Sequence, residues 1–320
     1  MAESSAVTFL LFGGGRMITR LNRTDLAKES FARHREIEGV SEQTEVRDGI
    51  ETSRIAIQTQ QAAEEMEKPM GIYVTIEIPD SNDDLTNAAE RCIRDELQTM
   101  LGDISGHILV IGLGNRMITP DSLGPRTVEK IFVTRHIHAF APELAPAGMR
   151  TISALTPGVL GITGLETAEV VLGIVERAEP AAVLCIDALA SERVERMSSI
   201  IQINNSGLLP GAGVGNRQRG LNKKTLGVPV YAIGVPTVVY ASTIAREAVR
   251  LLEKRTGVGG DGDALSNMAA DLVGQQMQNM VVTPKDVDKL VEDASRRLAN
   301  GINMALLGNC YSEIRTLLMH

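Results

Sequence analysis

The chain has no tryptophan, and aromatic residues make up only 3% of its 320 positions. Any core must therefore be built from Ile, Val, Leu, Ala and Met. Cysteine is almost as scarce: Cys92, Cys185 and Cys310 lie far apart and form no Cys-x-x-Cys pair. That argues against a disulfide framework or a structural zinc site and fits a reducing compartment. Long apolar runs are missing too. The most apolar N-terminal stretch, Ala6 to Phe12, contains Thr8 and lacks a preceding basic region. It is too short for a membrane span and poorly shaped as a signal peptide, so the expectation is a cytoplasmic protein without membrane contact. No basic run occurs, and 32 Lys+Arg stand against 40 Asp+Glu, a formal net charge of −8. Direct binding to nucleic acid is not expected from that balance.

What the chain does have is an ordinary globular composition, 43% hydrophobic and 22% charged. Its length allows one large domain or two small ones. Residues 1 to about 22 read as a tail broken by Gly13-Gly14-Gly15, and Arg23 to Glu67 as a polar peripheral segment. Gly71 to Pro79 alternates like a half-buried strand, and Asp84 to Leu101 has helical spacing. From about 105 to 255 the pattern changes. Short apolar runs (His107–Gly114, Thr151–Leu155, Ala181–Ile186, Gly227–Ile233) alternate with helical stretches (Arg126–Val133, Gly164–Glu176, Thr237–Lys254). That rhythm predicts parallel βαβ units in a three-layer α/β sandwich with a mainly parallel central sheet and peripheral β and helical additions. Ser199–Gly207 reads as a further strand, Leu208–Leu226 as a Gly-rich basic loop, and about 284–306 as a C-terminal helix started by Thr283 and Pro284. The division expected is a tail 1–22, one domain 23–310 and a tail 311–320.

In open parallel sheets, ligands gather beyond the carboxyl ends of the strands. Two aspartates hold such positions. Asp121 follows the first buried strand in Gly112-Leu-Gly-Asn115-Arg-Met-Ile-Thr-Pro120-Asp121-Ser-Leu-Gly124-Pro125, and Asp187 ends Val183-Leu-Cys-Ile-Asp187. Facing one crevice, the two carboxylates would repel, raise one pKa and share a proton as an acid–base pair. They could equally ligate a metal, with His136 as a third ligand, or simply cap their turns. Gly112-x-Gly114 lacks the third glycine of a dinucleotide fingerprint, Met117 standing there, so no nucleotide cofactor is expected. His136 and His138 share a face only if extended, and Cys185 reads as an inert core thiol.

Ordered blocks of the sequence resemble the germination proteases of endospore-forming bacteria. They include Arg23-Thr-Asp-Leu-Ala27, Ile111-Gly-Leu-Gly-Asn115, Thr119-Pro-Asp-Ser-Leu-Gly-Pro125, Val133-Thr-Arg-His136, Thr156-Pro-Gly-Val-Leu-Gly-Ile-Thr-Gly164 and Ile186-Asp-Ala-Leu-Ala190. Further along come Gly211-Ala-Gly-Val-Gly-Asn216, Thr225-Leu-Gly-Val-Pro229, Ile233-Gly-Val-Pro-Thr-Val-Val239 and Met280-Val-Val-Thr-Pro-Lys-Asp-Val-Asp288. The resemblance implies a fold akin to the hydrogenase-maturation endopeptidases and an atypical aspartic-type endopeptidase that uses no cofactor. It also implies a homotetramer, made as a self-processing zymogen trimmed near Arg23, that degrades small acid-soluble spore proteins in the forespore or spore core. The family's two functional aspartates fall on Asp121 and Asp187. Residues 1–22 depart from the family's pro-segment, and a segment usually present after Lys254 is shortened to about Thr256–Asp263.

Overall fold

The computed structural model describes residues 24–33, 37–79, 83–197, 199–208, 219–256 and 280–318, and between 257 and 279 only 265–266, 268–269 and 272–273. The 1–22 tail, the proposed junction at Arg23, the Gly211–Asn216 turn and nearly all of Thr256–Asp263 fall outside the described residues.

The elements run α1 (Ala27–Arg33), β1 (Val40–Arg47), β2 (Ile50–Ile57), α2 (Gln60–Glu65), β3 (Gly71–Glu77), α3 (Asp83–Leu101) and β4 (Ile108–Gly112). Next come α4 (Leu123–Val128), α5 (Arg135–Phe140), β5 (Ile152–Leu155), α6 (Leu160–Thr163), α7 (Thr167–Ala178), β6 (Ala182–Ser191) and β7 (Ile200–Asn204). The chain closes with α8 (Lys223–Leu226), β8 (Val230–Tyr240), α9 (Ala241–Thr256), β9 (Val281–Val282), α10 (Val287–Leu307) and α11 (Tyr311–Leu318). The described strands form one sheet in the order β1-β2-β3-β7-β8-β6-β4-β5, with β9 pairing to β8.

The half of the sheet built from β5, β4, β6 and β8 is parallel, as the alternating pattern requires. The other half, β1, β2, β3 and β7, is antiparallel and forms the peripheral β addition, so the sheet as a whole is mixed. Alternation along the buried strands divides the core. Ile108, Val110, Leu184, Ile186 and Ile233 point toward α3, α4 and α10. Leu109, Ile111, Val183, Cys185 and Ala232 point the other way, toward α7. That is the three-layer arrangement, with both faces covered and the strands reading as continuous apolar runs.

Several boundaries differ from the sequence reading, each for a local reason. The polar stretch 23–67 is not featureless: β1 and β2 form a hairpin closed by Asp48-Gly49, both with positive φ (53° and 78°). Asp-Gly suits that two-residue turn, whereas β1 is exposed along almost its whole length and so has no apolar alternation. The helix expected to reach Val133 stops at Val128, and the Phe132 N–H is taken by Asn303 Oδ1 at 2.9 Å. Residues 237–240, expected in a helix, extend β8, and Val239 and Tyr240 pair with β9. The C-terminal helix begins at Val287, with Asp286 rather than Thr283 at its N-cap. The segment 311–320, expected as a tail, is helical through Leu318. Ile314 is fully buried there, and the Tyr311 ring stacks on Phe132 with centroids 6.2 Å apart.

Candidate active site

Asp121 and Asp187 both lie near the carboxyl edge of the parallel half-sheet, Asp121 on the connection after β4 and Asp187 on the neighbouring strand β6. Asp121 closes a short 3-10 turn, Thr119–Asp121, between β4 and α4. Pro125, in the first turn of α4, lets the helix start only after that turn, so Asp121 stays outside it. Asp187 does not end its strand, as the sequence reading had it. It sits within β6, which runs on to Ser191, and lies opposite Gly234 of β8.

The turn carrying Asp121 is fastened by unusually close backbone approach. Gly114 has φ +108°, and a Cβ on it would lie 2.0 Å from the Asp121 carbonyl oxygen. A Cβ on Gly124 would lie 2.3 Å from the carbonyl oxygen of Leu113 and 2.6 Å from that of Ile186. The Leu113 N–H donates to the Ile186 carbonyl at 2.8 Å. The loop bearing Asp121 is thus sewn to β6 one residue before Asp187. Gly114 and Gly124 allow the close contact between the turn and the strands.

The carboxylates do not cap helices. Asp121 Oδ2 accepts the backbone N–H of Asn115 at 2.7 Å, from the loop that precedes it. Asp187 Oδ1 accepts the N–H of Ala188 at 2.9 Å. Both residues are half-buried, neither lying in the fully enclosed core. Burial pushes Asp121 above the usual carboxylate range, against the Asn115 hydrogen bond that favours the charged form. Asp187 is raised well above it, first by burial and then by the nearby carboxylates of Asp121 and Asp25. Both acids are thus raised, Asp187 the further, with Asp121 among its causes.

Asp25 was visible in the sequence only as part of a matching block. In the structure the Asp25 N–H donates to the Ala190 carbonyl at 3.0 Å, and Asp25 Oδ2 accepts the Ala190 N–H at 2.8 Å. Gln202 clamps the same segment, donating to the Asp25 carbonyl at 2.9 Å and accepting the Ala27 N–H at 2.6 Å. Buried Glu29 adds bonds from Ser191 Oγ (3.0 Å) and the Glu192 N–H (2.8 Å). The chain's first described residues are therefore strapped across the strand that carries Asp187.

Other candidates fall away from this site. His136 is exposed on α5, where His138, two positions on, faces another side of the helix. Among the described residues no three His, Cys, Asp or Glu side chains are grouped to hold a metal ion, so the ligand set Asp121, Asp187 and His136 is not assembled. The Cys185 thiol is fully buried, and that burial drives its pKa up, as an inert core residue's would be. Among the described residues no helix is long and apolar enough to cross a membrane.

A sequence profile of the germination protease family matches residues 19–270. The chain belongs to the germination protease family. Full-length relatives agree. A germination protease of Caldanaerobacter subterraneus subsp. tengcongensis is 41% identical over 318 residues, covering 93% of this chain and 98% of its own. That of Clostridium tetani is 42% identical over 307 residues, with 89% and 95% covered, and that of Bacillus cereus 35% over 342, with 89% and 93%. Among solved structures, a [NiFe] hydrogenase maturation protease HycI from Thermococcus kodakarensis KOD1 matches with TM-score 0.31 and 16% identity, over 56% of this chain and 98% of that one. The family is one of proteases, hydrolases acting in spore germination, and this chain carries the family sequence through both aspartates.

Proposed function

We propose that this protein is an endopeptidase that hydrolyses small acid-soluble spore proteins through the Asp121/Asp187 pair. The observation that carries the reading is geometric: the loop bearing Asp121 is bonded to β6 at Ile186, the residue before Asp187, and its turn to β8, which pairs with Asp187, so both acids stand at one sheet edge. Burial, then Asp121, raises the Asp187 carboxyl well above its ordinary value. Asp121, whose charged form accepts the Asn115 N–H, is the general base. It takes a proton from water as the water oxygen attacks the scissile carbonyl carbon. Asp187 is the general acid. It protonates the carbonyl oxygen as attack proceeds, giving a gem-diol. As the C–N bond breaks, Asp121 passes the proton it took from water to the leaving nitrogen, and one hydroxyl of the gem-diol returns its proton to Asp187. A carboxylic acid and an amine result, with Asp121 charged and Asp187 neutral again.

The chain is made as a zymogen that trims itself near Arg23, works in the spore core, and assembles as a homotetramer. Support for the first comes from the strap Thr24–Ala27, whose bonds to Ala190 and Gln202 bring the start of the mature chain to the Asp187 strand. Support for assembly comes from α9, which leaves Leu251 and Leu252 more than half exposed (56% and 61%). Substrate is recognised by groove shape and backbone pairing rather than charge, since the chain is itself acidic.

The test is to incubate the purified chain at mildly acidic pH, with and without a small acid-soluble spore protein, and to sequence all new termini by mass spectrometry. Self-trimming near Arg23 and internal cleavage of the added protein, both unaffected by a chelator, are expected. No cleavage after trimming, or cleavage abolished by chelator and restored by one metal, contradicts the reading.

A further inference from the structure

Strand β8 contains a fault beside the two acids. Its parallel register with β6 runs without interruption to Leu189 opposite Pro236, then resumes with Ala190 opposite Val238, leaving Thr237 as the extra residue of a bulge. Bulges break the ladder locally and re-aim a side chain, and they recur next to active sites. Pro236, which has no N–H to give, stands at the break. Thr237 is buried, only 3% exposed, and its hydroxyl donates to the Pro120 carbonyl at 2.7 Å. Pro120 is the residue before Asp121. The Thr237 carbonyl is in turn engaged: Thr283, just after β9, donates its hydroxyl to it at 3.1 Å.

The consequence is geometric. Asp187 lies on β6 opposite Gly234 of β8, so β8 is the strand that shares its frame. The turn of Asp121 is held to the loop after β4 by Asn115, and that loop to β6 by Leu113, but Thr237 ties the turn to the partner strand of Asp187, three residues on from Gly234. We propose that Thr237 is the positioning residue of the pair: its hydroxyl sets the height of the Asp121 carboxylate over the sheet edge relative to Asp187. This rests on the reading of Asp121 and Asp187 as the acting acids. Thr237 touches neither substrate nor reacting atoms, so its role is to hold a distance. A threonine suits the task because its branched Cβ fits a strand while its hydroxyl is free to donate.

The test compares Thr237→Val, which keeps shape and loses the donor, with Thr237→Ser, which keeps the donor. Both are assayed on a fluorogenic peptide spanning a bond cut in a small acid-soluble spore protein, alongside Asp121→Asn. For Thr237→Val, kcat is expected to fall by about 10- to 100-fold with KM within about twofold, the scale of a misplaced catalytic group. The alkaline limb of its pH–rate profile should also move, because the coupling between the acids depends on their separation. Thr237→Ser should stay within about threefold of the parent enzyme, the hydroxyl being retained. A folded Thr237→Val with the parent's kcat and pH profile overturns the proposal, as does a Thr237→Ser as impaired as Thr237→Val. Should Thr237→Val fail to fold by circular dichroism, Thr237→Ala, which cannot overpack, takes its place with the same expectations. If Asp121→Asn itself keeps normal activity, the parent reading has failed; if it is inactive while Thr237→Val is normal, only the positioning role has.

Discussion

The backbone N–H of Asn115 points at Asp121 and donates to its Oδ2 at 2.7 Å, although Asp121 comes six residues later in the chain. A loop has folded back on itself so that the residue after Gly114 grips the acid that follows the turn. The grip requires Gly114, whose φ of +108° and 2.0 Å clearance to the Asp121 carbonyl leave no room for a side chain.

Gly114→Ala should therefore displace the turn and lose proteolysis. Backbone strain of this kind costs on the order of 1–3 kcal/mol, and the clash adds to it. Urea unfolding and a peptide-cleavage assay on the same preparation measure both effects. Undiminished activity would mean that the turn tolerates a shift the geometry forbids.

The pH dependence of cleavage follows from the same pair. Asp121 must be charged to act as base and Asp187 neutral to act as acid. Both carboxyls are raised, Asp187 further, so activity should fall as pH drops through the Asp121 titration and fall again as pH rises through that of Asp187. The pair titrates as a unit, so the profile reports two apparent values for the dyad. A bell displaced above the ordinary carboxylate range is expected from initial rates at constant ionic strength; a rate that only climbs with pH contradicts it.

Stability should move the other way at Asp187. Its folded pKa lies above the ordinary 3.8, so the folded state binds its proton more tightly than the unfolded chain does. The associated stabilisation is fully present below the unfolded pKa and is lost as pH rises through the folded one. Asp187→Asn removes a carboxyl that is costly to ionise. Its Tm should exceed that of the parent at high pH and lose that advantage below the ordinary carboxylate range, by calorimetry across pH. Trading stability for function is common where a site holds a buried charge.

Asp25, in the N-terminal strap bound to Ala190, adds to the upward pull on the Asp187 carboxyl. In Asp25→Asn the amide oxygen can still accept from the Ala190 N–H, so the strap stays. The alkaline limb of the pH–rate profile should shift to lower pH, because a neighbouring like charge has been removed. Asp25→Glu should leave the limb near its original place. An unmoved limb in a folded Asp25→Asn would remove Asp25 from the electrostatics of the site.

Much of this was legible in the chain and some was not. The parallel strands announced themselves because burial on both faces makes runs such as Ala182-Val-Leu-Cys-Ile186 wholly apolar. Asp187 and Asp121 stood out against that background as polar residues where such strands end. The β1–β2 hairpin did not, because β1 is nearly all solvent-exposed and so carries no periodic signal, although Asp48-Gly49 marked its turn. The bulge at Thr237 was likewise hidden. Val238-Val239-Tyr240 fits a helix face as well as a strand, and pairing with β6 and β9 decides it. Contacts made through backbone across long stretches of sequence, such as Asp25 with Ala190, leave no local pattern to read.

The most direct measurement is cleavage of a small acid-soluble spore protein by Asp121→Asn and Asp187→Asn, each as a trimmed chain with its fold verified by circular dichroism. The account predicts that both variants lose activity by at least about 100-fold, since each removes one half of a proton-transfer pair. Near-parental cleavage by either folded variant would contradict it.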